Sequence, residues 1–172
     1  LKVQPPSRSL RAGIHMITQT IDGRPINPVP FAVDMLPETV DHEPNNEATT
    51  AQSVTLPIIV NGRVDRAGDW DVFKFNGNAG QAVVIDVMAR RLDSPLDSTL
   101  RLTDAAGRTI AANDDNAEPG GGGLNTHHAD SHISTRLPAK GSYYVHLGDT
   151  TQIGSDEHGY RLRISEPEPD FE

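Results

Sequence analysis

Between residues 41 and 47 the sequence reads DHEPNNE, which sets the oxygen-bearing side chains of Asp41, Glu43, Asn45, Asn46 and Glu47 into seven positions around Pro44. Carboxylates and amides at this density offer hard oxygen ligands, of which calcium takes about six to eight. Two other readings use the same residues. One is a solvated acidic linker; the other is a short helix over residues 47–52 with Asn45 or Asn46 as its N-cap. Asp69 and Asp71 flank Trp70 where a strand is expected to start, and they present two further carboxylates. The spacing is not that of an EF-hand, whose loop is contiguous and carries a fixed glycine.

A second acidic group lies in ANDDNAEPGGGGLNTHHADSH. Asn113, Asp114 and Asp115 end one strand, Asp130 opens the next, and Asp97 at the start of DSTLRL is placed to approach them. Asp side chains that satisfy backbone N–H groups at strand ends explain this group most simply. His127, His128 and His132 bring imidazoles to the same stretch, but a spacing of four converges on one metal only along a helix, and this stretch leads into a strand. A triad of Ser131, His128 and Asp130 is rejected, because sequence neighbours do not form one and no nucleophile elbow is present. Tyr144 and His146 fall out of phase with the apolar residues around them, as do Arg161 and Arg163. If their strands are neighbours, these four make an aromatic and basic ligand-binding patch on an outward sheet face.

The elements that must position these groups read as strands. Val83, Ile85 and Val87 alternate, as do Phe73 with Phe75, Leu100 with Leu102, and Tyr143 with Val145 and Leu147; so do Tyr160, Leu162 and Ile164. Turn signals recur about every 8–12 residues, at Asn61-Gly62, Asn76-Gly77 to Gly80, and Gly107 among others. Fifteen Gly and 13 Pro favour short strands over long helices. The reading is all-β: an antiparallel jelly-roll-like sandwich of about eight strands, over residues 41–166. Residues 1–40 form an extended N-terminal segment, with a hairpin signal at Asp22-Gly23. They are either the end of a preceding domain or strands that wrap onto the sandwich. Residues 167–172 are a linker.

A net charge of −9 argues against nucleic acid and against anionic membrane surfaces, both of which need clustered cations. The absence of Cys excludes disulfides, thiolate metal sites and a cysteine nucleophile. No apolar run approaches the length of a membrane span. The chain opens on Leu1 and closes on EPEPDFE, so it is read as a piece of a longer polypeptide whose targeting signal lies elsewhere.

The ordered pieces EPNNEATTA, VNGRVDRAGDWDVFKF, AGQAVVIDV, LDSTLRLTDAAGRTIAANDD, LPAKGSYYVHL and GYRLRIS resemble the bacterial pre-peptidase C-terminal domain family. The resemblance spans residues 43 to 165. It implies a non-catalytic accessory module of a larger secreted, periplasmic or cell-surface bacterial protein. Such a module spaces, stabilises or attaches its parent, works as a monomer, and has the other domains of the same polypeptide as partners. The alternative is a dedicated domain that binds extracellular carbohydrate or fibrous protein through its outward sheet face. The family is also similar to collagenase collagen-binding modules, in which calcium sits between an acidic linker and a loop before a strand. Carried over, the linker donors are Asp41, Glu43, Asn45 and Asn46, and the loop donors are Asp69 and Asp71. Where those modules tend to carry Asp, Asn46 stands here, with one negative charge fewer. Family members often retain Asp97, Asp114 and Asp115, which implies a loop hydrogen-bond network or a second ion.

Overall fold

A computed structural model of the chain describes residues 10–18, 20–21, 24–25, 27–115 and 129–167. Contacts divide the chain into two units, Leu1–Leu36 and Pro37–Glu172. In the first unit, β1 (Gly13–Ile17) pairs antiparallel with β4 (Val29–Val33), and β2 (Thr20–Ile21) pairs with β3 (Arg24–Pro25). Both strands of the larger hairpin are edges, so Pro30 fits opposite Met16 despite its missing N–H. The Asp22-Gly23 turn expected from sequence lies outside the described residues.

The second unit is a sandwich of two five-stranded sheets. Its strands are β5 (Glu38–Val40), β6 (Gln52–Ser53), β7 (Ile58–Arg63), β8 (Trp70–Gly77), β9 (Ala82–Met88), β10 (Ser98–Asp104), β11 (Thr109–Asn113), β12 (His132–Arg136), β13 (Gly141–Asp149) and β14 (Gly159–Ser165). The first sheet has the order β11-β10-β13-β8-β6, and the second β12-β9-β14-β7-β5. The alternation seen in sequence decides which residues face inward. Phe73, Phe75, Val83, Ile85, Val87, Leu100, Leu102, Tyr143, Val145, Leu147, Tyr160, Leu162 and Ile164 all lie in the one core between the sheets. A fully buried Leu, Ile, Val or Phe contributes about 1.5–3 kcal/mol, so this shared layer holds the two sheets face to face.

Eight long strands account for the expected count, and the leader supplies the other two. Glu38–Val40 joins the edge of the second sheet parallel to β7, and Gln52–Ser53 joins the edge of the first parallel to β8. The strand 38–40, placed with the N-terminal segment on sequence grounds, is thus part of the sandwich. Between these two short strands the chain crosses from one sheet to the other. The crossing contains no helix over residues 47–52; it turns at Ala48 to Thr50, with Thr50 N–H donating to Glu47 O at 3.0 Å.

Asn61-Gly62 is likewise not a turn but runs inside β7. A Cβ at Gly62 would fall 2.3 Å from Tyr160 Oη and 2.9 Å from Asp41 Cβ. Glycine is required there because the Tyr160 ring on β14 fills the space that a side chain would occupy. We therefore expect Gly62→Ala to cost about 1–3 kcal/mol through overpacking. Thermal denaturation checks this, and a variant as stable as the parent contradicts it.

Candidate functional site

The crossing segment carries the acidic cluster across one end of the sandwich. Backbone bonds tie it to both sheets: Asp41 N–H donates to Asn61 O at 2.9 Å, and Val72 N–H donates to Asn45 O at 3.0 Å. Gln52 pins its two ends, donating through Nε2 to Val40 O and accepting from His42 N–H at 2.9 Å each. Asp71 reaches the same place from the first sheet. Strand alternation points Asp71 inward with Phe73 and Phe75, so its carboxyl is fully buried. Tyr160 Oη, from the second sheet, donates to Asp71 Oδ2 at 2.5 Å.

One carboxylate oxygen each from Asp41, Glu43 and Asp71 lies within 4.8 Å of the others. Calcium–oxygen distances of about 2.3–2.6 Å put ligands on one ion at most about 5 Å apart, so a single ion can reach all three. Asn45 is fully buried, and its Nδ2 donates to Asp41 Oδ1 at 2.5 Å. Its amide oxygen Oδ1 and Asp71 Oδ1 are both buried and without a hydrogen-bond partner. An orphaned amide oxygen beside three converging carboxylates, one of which has an orphaned oxygen of its own, makes an acceptor-rich cluster with too few donors.

The electrostatics follow from that imbalance. Burial, reinforced by the Asp41 charge, pushes Asp71 up to about 8. Burial and the neighbouring Glu43 push Asp41 up to about 6. Burial and the facing Asp71 hold the Tyr160 hydroxyl well above its usual range. Each shift opposes gathering negative charge away from water, and a divalent cation is the ligand that relieves it.

The other two residues of the expected set, Asn46 and Asp69, pair with each other: Asn46 Nδ2 donates to Asp69 Oδ1 at 2.5 Å. Asp69 Oδ2 accepts from Asp65 N–H at 2.9 Å, and Arg66 Nη2 stands 3.8 Å from Asp69 Oδ1. Asp69 is thereby committed to holding the loop before β8 against the leader. Tyr160 and Gly62 were not among the sequence candidates. Tyr160 carries an apolar phase, so its hydroxyl gave no signal.

The second acidic group does not converge. Asp130 is buried and accepts from Ala89 N–H at 3.0 Å, Arg90 N–H at 2.7 Å and Arg91 N–H at 3.2 Å. Arg91 Nε bonds it at 2.7 Å, while Arg91 Nη2 bonds Asp86 at 2.9 Å. Asp97 contributes its backbone N–H to Asp149 Oδ2 at 3.1 Å. Asp114 and Asp115 are exposed and contribute backbone carbonyls, to Ser131 Oγ at 3.4 Å and Asn113 Nδ2 at 2.7 Å. Ser131 is buried, with its hydroxyl donating to Ser98 O at 2.6 Å. His127 and His128 lie outside the described residues.

The proposed patch of Tyr144, His146, Arg161 and Arg163 is not assembled. β13 and β14 follow one another in sequence but belong to different sheets, so these residues point away from the core on opposite faces. Arg161 pairs with Glu38 at 2.8 Å. Tyr144 lies opposite Lys74, and His146 shares a 3.1 Å bond with Thr103 Oγ1. Burial, with Arg101 nearby, lowers His146 to about 4, so its ring is neutral at physiological pH.

Residues 69–148 match the family model of the bacterial pre-peptidase C-terminal domain. A probable subtilase-type serine protease of Deinococcus radiodurans is 32% identical over 140 residues, which are 73% of this chain and 18% of that protein. The chain therefore spans less than a fifth of the curated relative's length. The crystal structure of the pre-peptidase C-terminal domain of collagenase from Bacillus anthracis aligns with a TM-score of 0.51 at 16% identity, covering 73% of this chain and 100% of that domain. That likeness extends to the fold.

Proposed function

We propose that this chain, whose residues 69–148 carry a bacterial pre-peptidase C-terminal domain, is a non-catalytic accessory module of a larger secreted protein, with its leader locked across the sandwich by calcium. The observation that carries the reading is the pair of partnerless buried oxygens, Asn45 Oδ1 and Asp71 Oδ1, with the carboxylates of Asp41 and Glu43 converging on Asp71. Asp41, Glu43, Asn45 and Asp71 would hold the ion. It would neutralise charges that the fold gathers without enough donors, and so join the crossing segment, the first sheet and, through Tyr160, the second. Magnesium fits less well, because it demands near-ideal octahedral geometry and keeps several waters.

The accessory role rests on the company such domains keep. A probable protease and a collagenase domain are among the matches, and the aligned part is a small share of the protease. No helix among the described residues is long and apolar enough to cross a membrane. Placement outside the cytoplasm, in the periplasm or at the cell surface, is part of the same proposal. The parent's other domains are its first partners.

Isothermal titration with calcium tests the site. One equivalent is expected to bind at pH 8, and the heat is expected to vanish in Asp71→Asn. A chain that takes up no calcium, or an Asp71→Asn variant that binds like the parent, removes the reading.

A further inference from the structure

The outer face of the first sheet differs in charge from the rest of the chain. Against a net charge of −9, the outward-facing positions of β8, β13 and β10 hold no carboxylate. They do hold two cations, each set against an aromatic ring. Lys74 Nζ lies 5.9 Å from the Tyr144 ring centroid, and the Arg101 guanidinium carbon lies 5.8 Å from that of Trp70. Neither cation has a carboxylate partner among the described residues. Elsewhere on the sandwich Arg63, Arg91, Arg108 and Arg161 are each paired with Asp or Glu, while Arg136 bonds the Gly80 carbonyl at 3.0 Å. Rings orient a cation without cancelling its charge, so these two remain available to an anion.

The layout fits a polymer better than a single small anion. Trp70 crosses toward the neighbouring strand over Gly148, where a Cβ would fall 3.0 Å from two of its ring atoms. The glycine lets the indole lie close against the sheet. Arg101 stands opposite His146, and Lys74 opposite Tyr144, which puts the two cations on strands two apart, about 10 Å across the sheet. Thr99 shares the face, whereas Thr103 is buried with its hydroxyl bonded to His146, and Ser142 Oγ donates to Asn76 Oδ1 at 3.0 Å. Of its outward aliphatic residues, Val72 is fully buried and Ala112, opposite Arg101 on β11, is small. The face therefore lacks a large open aliphatic anchor of the kind protein interfaces use, and presents spaced cations held on aromatic rings instead.

We infer that this face binds a carboxylate-bearing polysaccharide. Uronate groups would meet Lys74 and Arg101, which the Tyr144 and Trp70 rings hold in place. The site is separate from the acidic pocket and does not depend on an ion there. It lies on one sheet face alone, whereas the sequence reading divided its candidates between the two sheets.

Affinity electrophoresis of the full chain through gels containing hyaluronan or polygalacturonate is the test, with dextran and polyglutamate as controls. Retardation is expected on at least one uronate polymer and not on dextran. Lys74→Gln combined with Arg101→Gln should weaken it at least tenfold at unchanged melting temperature. Arg136→Gln, at a cation on β12 of the second sheet, should leave it intact. Retardation should also persist in Asp71→Asn, which separates this site from a calcium bridge through the acidic pocket. Binding to neither uronate polymer overturns the inference. Equal retardation on polyglutamate overturns it in favour of an acidic protein partner, and a double variant that binds like the parent overturns the assignment of the residues.

Discussion

Millimolar calcium is expected to raise the melting temperature of the ion-free chain by about 10 °C at pH 8 and by much less at pH 5. At a concentration of 100 times the dissociation constant, an ion that binds only the folded state adds about 2.7 kcal/mol. For a unit of this size each kcal/mol moves the melting temperature by roughly 3–4 °C. The pH dependence follows from the carboxyl shifts. In the unfolded chain Asp41 and Asp71 ionise near the ordinary value of 3.8; in the folded, ion-free chain they do so at about 6 and about 8. The folded state holds these protons more tightly, so their contribution to stability is fully present below the unfolded value. It is lost as pH rises through 6 and then 8. Calcium takes the place of the protons, so its effect is greatest where they have already left. Differential scanning fluorimetry with calcium and with chelator, across pH 5 to 8, reads both trends. Asp71→Asn sharpens the test, because it removes the buried charge and a ligand together. It should melt above the ion-free parent at pH 8 and no longer respond to calcium. A calcium shift equal at both pH values would place the ion elsewhere on the acidic surface.

The parts of this arrangement that sequence revealed are those governed by local period. Phe73 and Phe75, or Leu162 and Ile164, face the core because a strand turns every second side chain inward. The same alternation carries Asp71 inward and Trp70 outward from adjacent positions, and both candidate sites depend on it. The parts that stayed hidden depend on what lies opposite. Asn61-Gly62 has the composition of a hairpin turn, yet the chain runs straight there because Tyr160 needs the space over Gly62. β5 and β6 are two or three residues long and owe their form to the parallel partners that receive them. Tyr144 and Arg161 have the same outward phase and are separated because β13 and β14 go to different sheets, an assignment that periodicity does not carry. The Asn45 and Asp71 oxygens were legible as donors for a metal. That they are buried without hydrogen-bond partners emerged only once the leader had crossed the end of the sandwich.

Asp130 gives the second large effect, and it separates a structural carboxylate from a ligand. Its side chain is almost wholly enclosed, yet it accepts three backbone N–H groups from the turn at Ala89 to Arg91 and a fourth bond from the Arg91 side chain. Arg91 in turn holds Asp86, which also meets His132 Nδ1 at 3.2 Å. Asp130→Ala leaves the three N–H groups without their acceptor and strips a mostly buried guanidinium of one of its two carboxylates. Removing one partner of a buried charge pair costs about 3–5 kcal/mol. The melting temperature should therefore fall by about 10–20 °C. Asp130→Asn should recover only part of this loss, since its amide can accept from Ala89 and Arg90 but turns an NH2 group toward Arg91. Asp114→Ala, at an exposed carboxylate of the same acidic stretch, should stay within about 0.5 kcal/mol of the parent. The deciding comparison is the Asp130→Ala loss measured with calcium and with chelator. Equal losses mean that Asp130 anchors the turn through protein donors alone. A loss that disappears in chelator means that a second ion, held by Asp130, is what the substitution removed.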